Sequence, residues 1–132
     1  MLCGGGNTSV KSTLRNLFGE HRQVLWVKGS GADLAEVTAR GFAPVDLVGA
    51  RRLLELPTLA DTAMLRELRL LRFDPDAPTP SCEALLHAFL PARFIDHTHA
   101  DSVLAVLDSR HGRQLAEEIW GADHLIVAYA KP

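Results

Sequence analysis

The sequence is poor in cysteine, with only Cys3 and Cys82 in 132 residues. Two cysteines cannot build the disulfide framework of a small secreted domain, and the first residues lack the basic region and apolar run of a secretory signal. The longest mainly apolar stretches, such as residues 125–130, fall far short of the roughly 20 residues that cross a bilayer. These absences predict a reduced, cytoplasmic protein with no membrane partner.

Neither sign of charge dominates, since 14 Lys and Arg face 16 Asp and Glu for a formal net charge of −2. No cluster of basic residues is interleaved with aromatic residues, so a nucleic-acid partner is not expected. The sequence instead has 47% hydrophobic residues in a chain of 132, which is long enough to bury one core. We therefore expect residues 1–132 to form a single domain.

Patterns typical of strands and helices alternate along the chain without an internal repeat. Strands are predicted at 24–28, 42–48, 94–99 and 124–130, with Pro44 placing the second of them at a sheet edge. Helices are predicted at 33–39, 61–73, 81–90, 102–108 and 113–120. This alternation predicts an α/β fold.

Two glycine-containing segments are candidates for anion binding: Gly-Gly-Gly-Asn-Thr-Ser-Val at 4–10 and Lys-Gly-Ser-Gly at 28–31. Glycine lets backbone N–H groups approach an anion closely, and Asn, Ser and Thr add further donors. Neither segment has the spacing of a P-loop or of a dinucleotide fingerprint. An ordinary turn is the alternative explanation for each.

His97 and His99 lie two residues apart in the predicted strand 94–99. Alternate residues of a strand share one face, about 7 Å apart at the backbone, so both imidazoles can converge on one ion. Such a pair is a workable half of a zinc site. The alternative is that each histidine only satisfies a backbone group.

Glu83 follows a helix start made by Thr79 and Pro80, which places it in the first turn of the predicted helix. The helix dipole favours its charged form there, so Glu83 is a candidate ligand or base, or it only complements the dipole. His87 lies four residues on and shares its helix face. It is either a partner of Glu83 or a half-buried core histidine.

Four segments in chain order, Gly6-Asn7-Thr8-Ser9, Lys28-Gly29-Ser30-Gly31, Pro80-Ser81-Cys82-Glu83 with His87, and His97-Thr98-His99-Ala100, resemble the class II aldolase and adducin family. The resemblance spans most of the chain. It implies an α/β fold with a mainly antiparallel central sheet flanked by helices in three layers, incomplete in this chain. GGGNTSVK, FIDHTHADSVLA and the insertion that holds residues 61–73 are most similar to the larger members, which join a rhamnulose-1-phosphate aldolase domain to a short-chain dehydrogenase.

The resemblance also implies roles for individual residues. Glu83 would be the catalytic acid/base, and His97 and His99 would bind Zn²⁺. The substrate phosphate would be held by Gly6, Asn7, Ser9, Ser30, Gly31 and Ser81. Cys82 stands where relatives often have Ser or Thr, and a thiol is a poorer donor. The implied reaction is zinc-dependent retro-aldol cleavage of a ketose 1-phosphate, such as rhamnulose 1-phosphate, to dihydroxyacetone phosphate and an aldehyde.

The chain departs from the family pattern at its ends. Relatives carry a helix before the glycine run and a third zinc histidine further along the chain, and His111 and His124 come too early to match that histidine. We therefore expect a partial domain that binds zinc weakly and has little activity. The alternatives are a non-catalytic, adducin-like interaction module and a phosphopentose epimerase or dehydratase of the same family. The expected partners are a small phosphorylated sugar, further copies of the chain in a homo-oligomer, and a dehydrogenase domain in a larger parent protein.

Overall fold

The computed structural model describes residues 6–31 and 33–128. Those residues form strands β1 (Asn7–Arg15), β2 (His21–Lys28), β3 (Phe42–Asp46) and β4 (Phe94–His97), and helices α1 (Leu47–Arg52), α2 (Asp61–Leu70), α3 (Ala84–Phe89), α4 (Asp101–Leu107) and α5 (Gly112–Trp120). One compact unit includes residues 6–98 and another includes residues 99–128. Within the described ranges, no helix has both the length and the apolar character that crossing a membrane requires.

The first unit is built on a four-stranded antiparallel sheet in the order β3-β2-β1-β4. The expected fold, a mainly antiparallel sheet with helices, is thus confirmed. In β1, burial alternates with a period of two, so that Asn7, Ser9 and Lys11 are buried on one face. In the register with β2, Ser9 lies opposite Val27 and Lys11 opposite Leu25. The polar face of β1 therefore continues the apolar face of β2.

The apolar core covers that same face of the sheet. It combines side chains from β2, β3 and helices α1 to α3: Leu25, Val27, Ala43, Val45, Leu47, Ala50, Leu68, Ala84, Leu85 and Ala88. The continuous apolar run of β2 and the helical spacing of α2 predicted their contributions. Helix α3 supplies three of these residues, so apolar packing holds it against the sheet independently of its polar contacts.

Strand β3 is shorter than the predicted strand 42–48, because Asp46 begins a helix. Its carboxylate Oδ1 accepts a hydrogen bond of 3.0 Å from the backbone N–H of Val48, which caps α1 at its N-terminus. Helix α1 was not predicted. Residues 71–73 pair with the outer edge of β3 through Asp46 N to Leu71 O and Phe73 N to Pro44 O, both 2.8 Å, so this edge is covered.

Three predicted helices differ in the structure. The helix predicted at 61–73 ends at residue 70, because residues 71–73 pair with β3 instead. Asp33 does not begin a helix over 33–39: its Oδ1 accepts from the N–H of Ala35 at 3.0 Å in a local turn, and only a short 3-10 segment follows at Ala39–Gly41. The helix predicted at 81–90 begins at Ala84, because Pro80 forms an isolated bridge with Gly29 instead of entering the helix.

The second unit contains α4 and α5. Both helices were predicted within one residue of their observed limits. Residues 124–128 have no regular structure, so the strand predicted at 124–130 is wrong in its described part, and residues 129 and 130 lie outside the described ranges. The Trp120 and His124 rings pack edge to face with centroids 5.9 Å apart.

Candidate active site

The candidate residues of the first unit gather at one end of the sheet. Here β1 begins while β2 and β4 end, because the strands are antiparallel. Asn7, the first residue of β1, lies opposite His97, the last residue of β4. Gly29, directly after β2, forms a bridge with Pro80, which leads into Ser81. The motifs that are far apart in sequence therefore meet at this end.

Glu83 occupies the N-cap position of α3, one residue before the helix rather than in its first turn as predicted, and its side chain makes no capping hydrogen bond. Its Oε2 atom instead accepts hydrogen bonds from Asn7 Nδ2 and, at 3.2 Å, from Ser81 Oγ. His97 Nδ1 lies 3.2 Å from the same oxygen. Asn7 Nδ2 also donates to Ser81 Oγ at 3.0 Å. Asn7, Ser81 and His97 thus converge on one carboxylate oxygen.

Burial divides this cluster into two buried and two partly exposed side chains. Asn7 is 2% exposed and Ser81 is 7% exposed. The side chains of Glu83 and His97 retain 37% and 26% of their exposure. A partly exposed carboxylate, with a partly exposed imidazole beside it, is thus held by two buried polar side chains.

The donor chemistry of this pair fits a divalent metal, since carboxylate oxygen and imidazole nitrogen are ordinary ligands of zinc. His99 is a third side chain of ligating type and follows His97 after Thr98 alone. The strand argument for the two histidines was wrong, because β4 ends at His97 and residues 98–100 are not strand. The two histidines are nevertheless separated by only one residue in the sequence.

Gly6 is predicted to help hold phosphate. At this residue the chain passes close to the backbone of β4. Its φ is +93°, and a Cβ atom built there would lie 2.3 Å from the carbonyl oxygen of His97. Only glycine tolerates both the left-handed conformation and this approach. Gly6 therefore allows Asn7 to enter the sheet directly beside His97.

Ser30 and Gly31, also predicted to hold phosphate, form an exposed turn after β2. The backbone N–H of Ser30 donates to the carbonyl of Thr79 at 3.0 Å, which joins this turn to the segment before Ser81. Gly31 has a φ of +86° and no heavy atom within 4 Å of the position of a Cβ. The predicted phosphate ligands of this turn are therefore exposed to solvent.

Ser9, the remaining predicted phosphate ligand in β1, is buried and pairs with a histidine. Its Oγ lies 2.7 Å from Nδ1 of His87, which is fully buried. Burial, and next the nearness of His97, lower the pKa of His87 below its ordinary value of 6.5. His87 is therefore a neutral core histidine whose ring contacts Ser9. Its Nε2 is buried without a hydrogen-bond partner among the described residues.

Lys11 was not identified from the sequence as part of this region. Its Nζ donates to the carbonyls of Leu90 and, at 2.7 Å, Ala92 after the end of α3, and Arg51 Nε donates to Ala88 O at 3.0 Å. Burial and then the charge of Arg51 lower the pKa of Lys11. The spacing of two between polar residues of β1 was the available signal. Alternate residues of β1 thus contact the N-cap, the body and the C-cap of α3, in the pairs Asn7–Glu83, Ser9–His87 and Lys11–Leu90.

Comparison with known proteins agrees with this architecture. Residues 1–131 match the Class II Aldolase and Adducin N-terminal domain family. The uncharacterized oxidoreductase YuxG of Bacillus subtilis (strain 168) is 41% identical over 129 residues, which are 98% of this chain and 19% of that protein. The N-terminal class II aldolase domain of a conserved protein from Thermoplasma acidophilum superposes with a TM-score of 0.83 at 38% identity, covering 89% of this chain and 55% of that one.

The chain therefore spans only part of the length of both relatives. The sequence match nevertheless covers nearly all of its own residues, and the fold agrees with that of the solved domain. This chain belongs to the class II aldolase and adducin N-terminal domain family.

Proposed function

We propose that this chain carries the site of a metal-dependent class II aldolase that acts on a small phosphorylated sugar. The observation that supports the proposal most is the convergence of Asn7, Ser81 and His97 on the Glu83 carboxylate. A carboxylate that is held by hydrogen bonds and still reached by solvent is suited to general acid–base catalysis. Within an aldolase family, this arrangement favours an enzyme over an interaction module.

His97 and His99 would hold the metal, which we propose to be Zn²⁺. When bound, it supplies Lewis-acid stabilisation of the negative charge that develops on the substrate oxygens. When the C3–C4 bond of the ketose 1-phosphate breaks, the C4 hydroxyl loses a proton as it becomes the aldehyde carbonyl and C3 gains one, and Glu83 would carry this proton. The hydrogen bonds to its Oε2 keep the carboxylate beside His97 during this transfer.

The substrate phosphate would bind between the start of β1 and the turn after β2, through Gly6, Asn7, Ser9, Ser30, Gly31 and Ser81. Exposure of Ser30 and the open space beside Gly31 support this placement, because an anion can approach the Ser30 hydroxyl and the Gly31 backbone there without displacing a side chain. Ser9 is buried against His87 in this structure, so it would support the site from within.

The full-length context is part of the proposal. YuxG is named an oxidoreductase, and this chain matches 19% of it. We therefore propose that the aldolase domain works beside a dehydrogenase domain in a larger protein. Self-association of the chain stays a prediction.

The test is cleavage of rhamnulose 1-phosphate and fuculose 1-phosphate with added Zn²⁺, with release of dihydroxyacetone phosphate followed in a coupled NADH assay. Glu83→Gln is the matched control, because it keeps the size of the side chain and removes its ability to carry a proton. As expected of a partial domain, the wild-type chain should form product only slowly, and this rate should fall at least about a hundredfold in the variant. Equal rates for both proteins, or epimerisation of a ketopentose phosphate without cleavage, would show that the assigned reaction is wrong.

A further inference from the structure

We infer that Asn7 is a positioning residue, which fixes the Glu83 carboxylate beside His97, and that Ser81 is its second support. This inference rests on the proposed function of the same site and adds a role to the phosphate contact assigned to Asn7. Asn7 acts through Glu83 and not on the reacting atoms.

The first observation concerns the helix end. A short polar side chain at an N-cap position, such as Asp, Asn, Ser or Thr, ordinarily accepts a hydrogen bond from a backbone N–H of the first turn. Glu83 occupies this position before α3 and does not do so. Asn7 Nδ2 and Ser81 Oγ offer its carboxylate other donors, which direct it away from the helix and toward β4.

The second observation is that Asn7 is itself held firmly. It is 2% exposed, and its backbone pairs with His97 in the sheet. The close approach of Gly6 to the His97 carbonyl fixes the chain immediately before it. Because Asn7 contacts both β4 and Glu83, it sets the 3.2 Å separation between Glu83 Oε2 and His97 Nδ1.

The third observation concerns the two carboxylate oxygens. Asn7, Ser81 and His97 all approach Oε2. These contacts anchor the side chain through Oε2, and we assign the proton transfer to the other oxygen, Oε1. Asn7 suits this task, since its amide nitrogen carries two N–H groups and contacts both Ser81 Oγ and Oε2.

The first experiment uses NMR on the 132-residue chain without added metal or phosphate. We expect Glu83→Ala and Ser81→Ala each to displace the Asn7 side-chain amide resonances and to speed their exchange with water at least about tenfold, because a charge-assisted hydrogen bond or its support is lost. Ser30→Ala is the matched serine control, since Ser30 is exposed. It should leave those resonances in place. Conversely, Asn7→Leu should shift the ¹³C resonance of the Glu83 carboxyl carbon.

The second experiment measures turnover in a double-mutant cycle. Asn7→Leu keeps the approximate size and removes the donor, and we expect kcat to fall about tenfold in the wild-type background and no further in a Glu83→Gln background. If Asn7→Leu fails to fold, Asn7→Ser takes its place in the cycle. A contact with phosphate alone predicts a higher KM with the same kcat.

The inference is overturned if the Asn7 amide resonances are unchanged in Glu83→Ala, or if Asn7→Leu costs the same factor in kcat in both backgrounds. It is also overturned if Asn7→Leu raises KM alone. Absence of turnover in the wild-type chain would count against the proposed function, while the NMR experiment would still decide whether Asn7 holds Glu83.

Discussion

Replacing Gly6 by alanine should destabilise the sheet where β1 meets β4. Gly6 has a φ of +93°, and an added Cβ would lie 2.3 Å from the carbonyl oxygen of His97 and 3.2 Å from the Cα of Thr98. Both contacts are with backbone, which cannot rotate away as a side chain can. The substitution must therefore move one strand relative to the other.

The expected cost has two parts. Holding alanine in a left-handed conformation costs about 1–2 kcal/mol. Relief of the clash requires the end of the β1–β4 ladder to separate, which loses one or two backbone hydrogen bonds at about 1 kcal/mol each. Together these give a loss of about 3 kcal/mol in the free energy of unfolding, which is large for one methyl group.

Gly31→Ala is the matched control for this prediction. Gly31 has nearly the same backbone conformation, with a φ of +86°, but nothing lies within 4 Å of the added atom. Only the conformational part, about 1–2 kcal/mol, should be lost there. Urea unfolding followed by far-UV circular dichroism gives both free energies by linear extrapolation. If the two variants lose the same free energy within about 0.5 kcal/mol, the contact between Gly6 and His97 is not as described.

Three further predictions concern stability. Asp46→Ala should lower the free energy of unfolding by about 1 kcal/mol because α1 loses its cap, and an unchanged urea midpoint would contradict this. Leu68→Ala should cost about 2–5 kcal/mol, since Leu68 is 1% exposed in the core, and a loss below about 1 kcal/mol would show that α2 packs loosely. Because burial lowers the pKa of His87 below 6.5, the unfolded chain gains a proton that the folded chain does not as pH falls through that value, so stability decreases. Thermal unfolding at pH 7 and pH 5.5 should show a steeper decrease for the wild type than for His87→Gln; equal decreases would refute the assignment.

Elements with a strong local apolar pattern could be predicted from the sequence. Strand β2 was expected because Val24, Leu25 and Val27 form an apolar run that ends at a glycine turn, and all three are fully buried. Helix α2 was expected from apolar residues at helical spacing, and it is confirmed over Asp61–Leu70. In both cases burial against the core and local propensity favour the same structure.

Strand β1 was missed because its buried positions are polar. Asn7 and Ser9 resemble turn residues in the sequence, and the alternation that identifies a half-buried strand is usually read from apolar side chains. Their partners, Glu83 and His87, lie 76 and 78 residues further along the chain. No local pattern shows that these polar groups are satisfied by such distant residues.

The start of α3 was misplaced for a related reason. Thr79 and Pro80 make a good local helix start, but their backbones pair with Ser30 and Gly29 from the turn after β2. The tertiary pairing postpones the helix to Ala84. Glu83 is therefore the N-cap residue and lies outside the helix. The contacts that made the predicted helix start wrong also place the candidate base.

Polar residues of β1 can be buried because α3 and its caps supply hydrogen-bond partners at a matching spacing. Alternate residues of a strand are about 6.6 Å apart, and residues three or four apart in a helix rise about 4.5–6 Å, so β1 and α3 advance at similar rates. Each polar side chain of the strand therefore meets a partner further along α3 or at its caps, in the pairs Asn7–Glu83, Ser9–His87 and Lys11–Leu90. A shift of α3 along β1 would break all three pairs together, and it would also move Glu83 away from His97. The buried contacts of Ser9 and Lys11 thus hold the register on which the geometry at Glu83 depends.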